Sequence, residues 1–128
     1  MTDLEMLYKS TKEKYDTDKK TAKEMQEVYR RQRTEQMGDL FTKILFLNKY
    51  GINVQFKSEF GEIFLNKESY PTAKITATCQ FERIGEEIYQ SLIPNTYWVN
   101  WAYNSCNKGD GKTYNIEELV KAIADKFK

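Results

Sequence analysis

The sequence predicts an α+β protein: a long N-terminal helical region, then a small sheet of about four mostly antiparallel strands with helices on one face, and a C-terminal helix. Three observations predict this class. No Gly precedes Gly38 and no Pro occurs in the first 70 residues, which favours helix. After Gly51 the apolar residues change from a helical spacing to alternation. A capping motif precedes the last apolar run. The 128 residues fit a single domain, with a charged helical arm at 1–36 and an α+β body at 37–128.

The arm carries a thin apolar stripe on a highly charged helix. The stripe consists of residues spaced by multiples of three and four: Leu4, Tyr8, Tyr15, Ala22, Met25 and Tyr29. Polar residues at positions 11, 18, 32 and 36 interrupt it, so a stable coiled coil is not expected, and homodimerisation through this stripe stays open. The run from Asp16 to Asp18 predicts the end of one helix and the cap of a second.

Residues 37–50 predict a helix that faces the core. Its apolar residues recur at helical spacing: Met37, Leu40, Phe41, Ile44 and Leu45. Lys49 lies in the last turn and Gly51 follows it, which is typical of a helix end.

Three strands are predicted between residues 52 and 82. Ile52, Val54 and Phe56 alternate with polar residues in the first strand. A turn at 58–61 leads to a second strand at 62–65, and a loop at 66–72 follows. Residues 73–82 show the longest alternation in the chain and place Cys79 on the apolar face.

The last third of the chain predicts a helix, a strand and a helix. Apolar residues at 84, 88 and 92 favour a short helix that Pro94 ends. Residues 97–103 favour a fourth strand. Asn115 is placed to cap the final helix and Glu118 to complete a capping box.

The composition argues against catalysis. The chain has no His, which removes both the commonest general base and the commonest zinc ligand, and its two Cys cannot build a structural zinc site. We therefore expect no enzyme activity, no metal and no cofactor. With a net charge of +1, no apolar segment long enough to span a membrane and no secretory signal, the chain is expected to be cytoplasmic in a bacterial host and not to bind membranes.

The segment 106–113 is one nucleotide-binding candidate. It matches the phosphate loop GxxxxGK[ST], except that Cys106 stands at the first Gly position. A phosphate loop requires its helix to begin at Lys112 and Thr113, whereas the cap at Asn115 predicts a later start. Only 15 residues follow Thr113, too few for a downstream strand to supply a magnesium-binding Asp. A nucleotide-binding enzyme is therefore the third hypothesis.

The basic side of the arm is the first binding candidate. Residues 9–33 contain nine basic and five acidic side chains, a net charge of +4. Five candidate residues fall on one side of the helix, and Arg31 extends the cluster: Lys12, Lys19, Lys23, Arg30 and Arg33. Such a stripe can neutralise phosphates or contact an acidic protein surface, and a solvated helix face with i,i+4 ion pairs is the equal alternative.

Aromatic residues of the fourth strand are the second binding candidate. Tyr97, Trp98 and Tyr103 are proposed to contact a partner, because Tyr and Trp are enriched at interfaces and can stack on bases. Alternation places Tyr97 and Tyr103 on one face and Trp98 on the other, so one face is core. Burial of both faces under helices is the alternative.

The leading functional hypothesis is a non-enzymatic binding protein or inhibitor. Lys outnumbers Arg 16 to 4, which suggests an AT-rich genome such as that of a low-GC Gram-positive bacterium or its phages. In general character, and without a shared motif, the chain resembles small phage and mobile-element proteins that inhibit host machinery, including inhibitors of CRISPR nucleases. The resemblance implies a protein partner, namely a host defence or nucleic-acid-handling enzyme. The alternative is a nucleic-acid-binding protein that uses the basic helix and the exposed aromatics.

Overall fold

The computed structural model describes residues 2–103 and 111–128. Its helices are α1 (Asp3–Ile44), a 3-10 helix (Leu45–Tyr50) and α2 (Ile116–Lys126). Its strands are β1 (Asn53–Lys57), β2 (Glu62–Asn66), β3 (Ala73–Ile84), β4 (Glu87–Asn100) and β5 (Gly111–Thr113).

The described strands form one antiparallel sheet in the order β1-β2-β3-β4-β5. Each strand pairs with its neighbour in sequence, as in a meander. The α+β class is therefore confirmed, with five strands rather than about four. The additional strand is β5, whose three residues are too few to produce an alternating pattern.

The N-terminal region is one uninterrupted helix, so the predicted break at Asp16 to Asp18 is wrong. Thr2 caps its start, and its hydroxyl accepts a hydrogen bond from the Glu5 N–H at 3.2 Å. At the predicted break, the Thr17 hydroxyl instead donates to the Glu13 carbonyl at 2.8 Å, which a helix interior accommodates. The helix also crosses residue 36, the predicted arm–body boundary, without a break.

The predicted helix at 37–50 is helical throughout, but its type changes within the segment. The α-helix ends at Ile44 and a 3-10 helix continues to Tyr50. Gly51 then adopts a left-handed conformation with φ of 81° and ends the helical segment, as its position after Lys49 predicted.

Residues 84–92 do not form the predicted helix. They form the end of β3, a tight turn and the first half of β4, with Gly85 in the turn at φ of 61°. The register shifts between Ala77 and Cys79, and Pro94 lies in the irregular stretch of β4 on the other side of that shift. Pro94 is tolerated there because regular ladder hydrogen bonds are interrupted at a bulge.

One face of the sheet packs against both helices. The core combines α1, the 3-10 helix, α2 and the inward residues of the strands. Its largest side chains under 2% exposed are Tyr97, Met37, Leu40, Ile44, Ile63, Leu65, Ile75, Leu119, Ile123 and Val99.

The β3–β4 hairpin extends beyond the core and lies along α1. The backbone N–H of Gln90 donates to the Gln26 side chain at 3.0 Å, and that of Asn95 donates to the Gln36 side chain at 3.2 Å. Helix glutamines therefore satisfy backbone donors of β4 that have no neighbouring strand at these positions.

The start of α2 confirms the predicted cap. The Asn115 side chain accepts a hydrogen bond from the Glu118 N–H at 2.8 Å. The Glu118 carboxylate in turn accepts from the Tyr114 N–H at 2.7 Å. The two bonds satisfy backbone donors at the helix start in the manner of a capping box.

Candidate functional site

Within residues 2–103 and 111–128, no helix packs on the sheet face opposite α1 and α2, and we call this face the open sheet face. Side chains alternate along each strand, so the residues between the core positions point to this side. It comprises Lys57, Glu62, Phe64, Lys74, Thr76, Trp98, Asn100 and Lys112, with Tyr103 and Tyr114 at its margins.

Trp98 lies on this face in β4, the strand next to the edge strand β5. In the register of the sheet its neighbours are Thr76 on β3 and Lys112 on β5. Its side chain is 42% exposed, although the residue lies within a regular strand. A large aromatic side chain is thus presented to solvent by a rigid element.

A second aromatic group lies beside Lys57. The Phe64 ring is 7% exposed, because the Tyr103 ring packs edge-on at 5.2 Å between centroids and the Lys57 ammonium lies 4.7 Å above it. Tyr103 itself remains 42% exposed. The lysine and the tyrosine therefore form the outer layer of this cluster.

The lysines of the open sheet face lie over aromatic rings. Lys74 lies 4.7 Å from the Tyr103 centroid and also pairs with the Glu62 carboxylate at 3.1 Å. Lys112 lies 5.3 Å from the Tyr114 centroid. Each such contact stabilises a lysine at the surface by about 0.5–1 kcal/mol and holds its charge close to the sheet.

The open sheet face has a positive charge. Lys57, Lys74 and Lys112 provide three cations and Glu62 one anion, a net charge of +2 from these four side chains. Lys57 and Lys74 are not among the residues that the sequence predicts for a site, and Lys112 is proposed only as part of the phosphate-loop match. The polar positions of the strand alternation show that Lys57 and Lys74 face outward, but they do not show that the outward face is uncovered.

The predicted aromatic candidates separate into two locations. Trp98 and Tyr103 both lie on the open sheet face. Tyr97 is 1% exposed and belongs to the core, where burial, together with the charge of Asp39, raises the pKa of its hydroxyl. Tyr97 is therefore a packing residue in this fold and not accessible to a partner. Tyr103 does not share its face, because β4 ends at Asn100 and the alternation ends with it.

Five of the six predicted basic residues are exposed on α1: Lys12, Lys19, Lys23, Arg30 and Arg31. The sixth, Arg33, is half-buried, with its guanidinium 5.4 Å from the Tyr29 centroid and its side chain against Gly61. Arg33 therefore packs within the fold.

The basic residues of α1 do not join the aromatics into one surface. Helix α1 packs on the core face of the sheet, whereas Trp98 points to the opposite side. A shallow groove of about 400 Å³ beside Lys23 and Arg31 also includes Glu24 and Glu27. The basic residues are thus interleaved with acids, as a solvated helix face would be.

An apolar groove of about 430 Å³ lies between the 3-10 helix and α2. Its lining residues are Phe46, Leu47, Tyr50, Ile52, Lys67, Val120, Ile123, Ala124 and Phe127. The single charged group among them, the Lys67 ammonium, donates to the Phe127 carbonyl at 2.9 Å. This groove offers apolar contact and no acid–base pair.

The segment 106–113 is described only at its end. Residues 106–110 lie outside the described residues. The remaining three form β5, where the Thr113 hydroxyl donates to the Tyr97 carbonyl at 3.3 Å and Lys112 lies over Tyr114. Within residues 2–103 and 111–128, no cluster of three or more His, Cys, Asp or Glu could hold a metal ion. Across those same residues, no helix has the length and apolar character that crossing a membrane requires.

No protein-family model, curated protein or solved structure matches the chain.

Proposed function

We propose that this chain is a non-enzymatic binding protein that contacts a protein partner through the open sheet face. The observation that carries the proposal is the exposure of Trp98 and Tyr103, 42% each, on the side of the sheet that none of the described helices covers. Aromatic side chains held by a rigid element provide much of the binding energy in protein interfaces at little entropic cost.

The charge of the open sheet face favours an acidic partner surface. Lys57 and Lys74 are held over rings at 4.7 Å, so their positions are fixed before binding. Preorganised charges give specificity and faster association with a surface of opposite sign. An inhibitor of a host defence or nucleic-acid-handling enzyme, encoded by a phage or mobile element, fits this proposal, and the compositional bias toward Lys supports that origin.

Two features favour protein over nucleic acid as the partner of this face. Phe64 is 7% exposed beneath Lys57 and Tyr103, so a base cannot stack on it. Glu62 pairs with Lys74 at 3.1 Å within the face and repels phosphate.

The test is affinity capture from a lysate of a low-GC Gram-positive bacterium, followed by measurement of binding to the captured protein. Trp98→Ala is expected to weaken binding by about 30-fold or more, corresponding to about 2 kcal/mol. Phe81→Ala is the matched control, because Phe81 is an aromatic residue of β3 that is 71% exposed and far along the hairpin from this face. Equal binding of wild type and Trp98→Ala, with both folded by circular dichroism, contradicts the proposal.

A charge reversal tests the nature of the partner surface. Lys74→Glu is expected to weaken binding and reduce its dependence on salt, since an attraction becomes a repulsion. Lys121→Glu, at an exposed position of α2, makes the same change in net charge away from the open sheet face. If both variants bind alike, the acidic character of the partner surface is not supported.

Nucleic-acid binding through α1 is the second candidate, favoured by its exposed cations. A triple variant of Lys19, Lys23 and Arg30 to Ala is expected to lose most of any affinity for duplex DNA and to flatten its salt dependence. A mobility-shift series that shows no binding of the wild type at low salt removes this candidate.

A further inference from the structure

The first four turns of α1 carry large apolar side chains that are exposed to solvent. Leu4, Leu7, Tyr8 and Tyr15 are 79%, 63%, 68% and 45% exposed. Residues 2–17 are all exposed, and the 15 helical residues from Asp3 extend about 22 Å. Four large apolar residues within so short a segment form a patch of the kind that marks an interaction surface.

This patch continues a helix face that is buried farther along the same helix. Positions 4, 8, 11, 15, 18, 22, 25 and 29 are spaced alternately by four and three residues, the spacing of a coiled-coil seam. Ala22 and Tyr29 on this seam are 6% and 4% exposed, since they pack against the body. At Asp18, the hairpin turn at Gly85 begins to cover the seam. From residue 18 onward the body covers this face at Ala22 and Tyr29 and leaves Met25 38% exposed, whereas every seam position before residue 18 is exposed.

We infer that the uncovered seam binds the same segment of a second copy of this chain in antiparallel orientation. Centred between residues 9 and 10, the two helices place Leu4 against Tyr15 of the second copy and Tyr8 against Thr11 of the second copy. Because the pair of helices is symmetric, each of these two contacts occurs twice in the dimer.

Charge complementarity favours this register. Glu5 and Lys12 both lie on one flank of the seam, and the antiparallel pair places each Glu5 beside Lys12 of the second copy. On the other flank, the alkyl chain of Lys14 covers Leu7 of the second copy. A parallel pair instead places Lys14 beside Lys19 of the second copy, which is repulsive.

The position of the body also favours the antiparallel arrangement. In this register the second copy's helix begins near residue 16, just before the hairpin turn that lies against Asp18. The two bodies then lie at opposite ends of the helix pair. A parallel pair brings both hairpins to the same end, on the face where the two helices meet, and the hairpins collide.

The contact is small, so the dimer depends on concentration. Four helical turns from each chain bury less surface than a standard stable interface, and dissociation constants in the micromolar range or weaker are typical of such contacts. The relevant measurement is sedimentation of the full chain over a range from about 1 to 500 μM, which brackets that affinity.

A charge swap tests the register. Glu5→Lys alone and Lys12→Glu alone are each expected to weaken the dimer by at least about threefold, and the double variant is expected to restore it. The two residues are seven positions apart on one helix, about 10 Å, so their coupling within a chain is small. Tyr8→Glu is expected to abolish the dimer, whereas Met6→Glu, on the opposite side of the helix, leaves it intact.

Spin labels at Lys20 test the orientation, with the two native Cys replaced by Ser. Antiparallel helices separate the two Lys20 backbones by about 30 Å, and parallel helices bring them to about 15 Å from each other, since Lys20 lies on the outer side of the helix. A monomer at the highest concentration, loss of the dimer in Met6→Glu, failure of the double charge variant to recover, or the short label distance would overturn the inference.

Discussion

The two halves of α1 are expected to contribute very differently to stability. The same substitution can be made in both: Leu40→Ala in the half that packs on the sheet, and Leu4→Ala in the uncovered half. Leu40 is 0% exposed and Leu4 is 79% exposed. Both residues lie in one continuous helix, so the difference in helix propensity between Leu and Ala is common to the pair.

The expected magnitudes follow from burial. Leu40→Ala removes three buried carbon groups, about 2.4 kcal/mol of transfer free energy at about 0.8 kcal/mol each. A residual cavity adds to this, so the loss of unfolding free energy is expected at about 3–4 kcal/mol. Leu4→Ala leaves no cavity and is expected to change the unfolding free energy by less than about 0.5 kcal/mol.

The assay is equilibrium unfolding in urea at about 1 μM, so that dimer formation does not contribute to the measured stability. The urea concentration at which half of Leu40→Ala is unfolded is expected to fall, while the dependence of its unfolding free energy on urea concentration stays that of the wild type. Equal losses in Leu40→Ala and Leu4→Ala would refute the reasoning, because they would show that the body does not bury the C-terminal half of α1 selectively.

Three further predictions concern the fold. Burial raises the pKa of Tyr97 above 10.0, so this hydroxyl ionises at a lower pH in the unfolded chain than in the folded chain. The stability that Tyr97 contributes is therefore constant below about pH 10 and falls as the pH rises toward the folded-state pKa. Tyr97→Phe is expected to reduce that fall when unfolding in urea is followed at alkaline pH, and an unchanged pH profile would count against this. Gly85→Ala is expected to lose more unfolding free energy than Gly51→Ala. Both glycines have positive φ, but an added Cβ meets the Asp18 carboxylate at Gly85 and meets nothing within 4 Å at Gly51. Equal losses in urea unfolding would contradict this. Gln26→Ala removes the acceptor of the Gln90 backbone N–H and is expected to lose about 1–3 kcal/mol of unfolding free energy. Hydrogen exchange of the Gln90 amide is expected to become faster, and an unchanged exchange rate would show that the contact does not form in solution.

Local signals predicted the parts of the fold that depend on neighbouring residues. The cap of α2 was predicted correctly, because Asn115 and Glu118 act on backbone groups within one turn. The region 84–92 was predicted wrongly. Its apolar residues are spaced four apart, which suits a helix, but the left-handed turn at Gly85 and pairing with β3 determine its structure. Periodicity cannot detect a tertiary partner.

The candidate site was predictable only in part, for a related reason. Trp98 could be proposed from the sequence, because strand alternation and aromatic character are local properties. Lys57 and Lys74 could not, because their importance depends on which face of the sheet the helices leave open and on rings brought beside them from other strands. Tyr97 has the same local character as Trp98, and only the placement of the helices decides that one is core and the other is exposed.

The two proposed surfaces are physically independent, and together they have a consequence for binding. The seam faces the side of α1 that contacts the body, whereas the open sheet face points away from α1, so occupancy of one leaves the other accessible. In the antiparallel pair, the middles of the two body-contacting segments of α1, near residue 31, lie about 60 Å apart along the helix axis. A dimer then presents two open sheet faces at a fixed, wide separation. Such an arrangement increases affinity only for a partner whose acidic sites repeat at a matching distance, and it adds nothing for a partner with a single site.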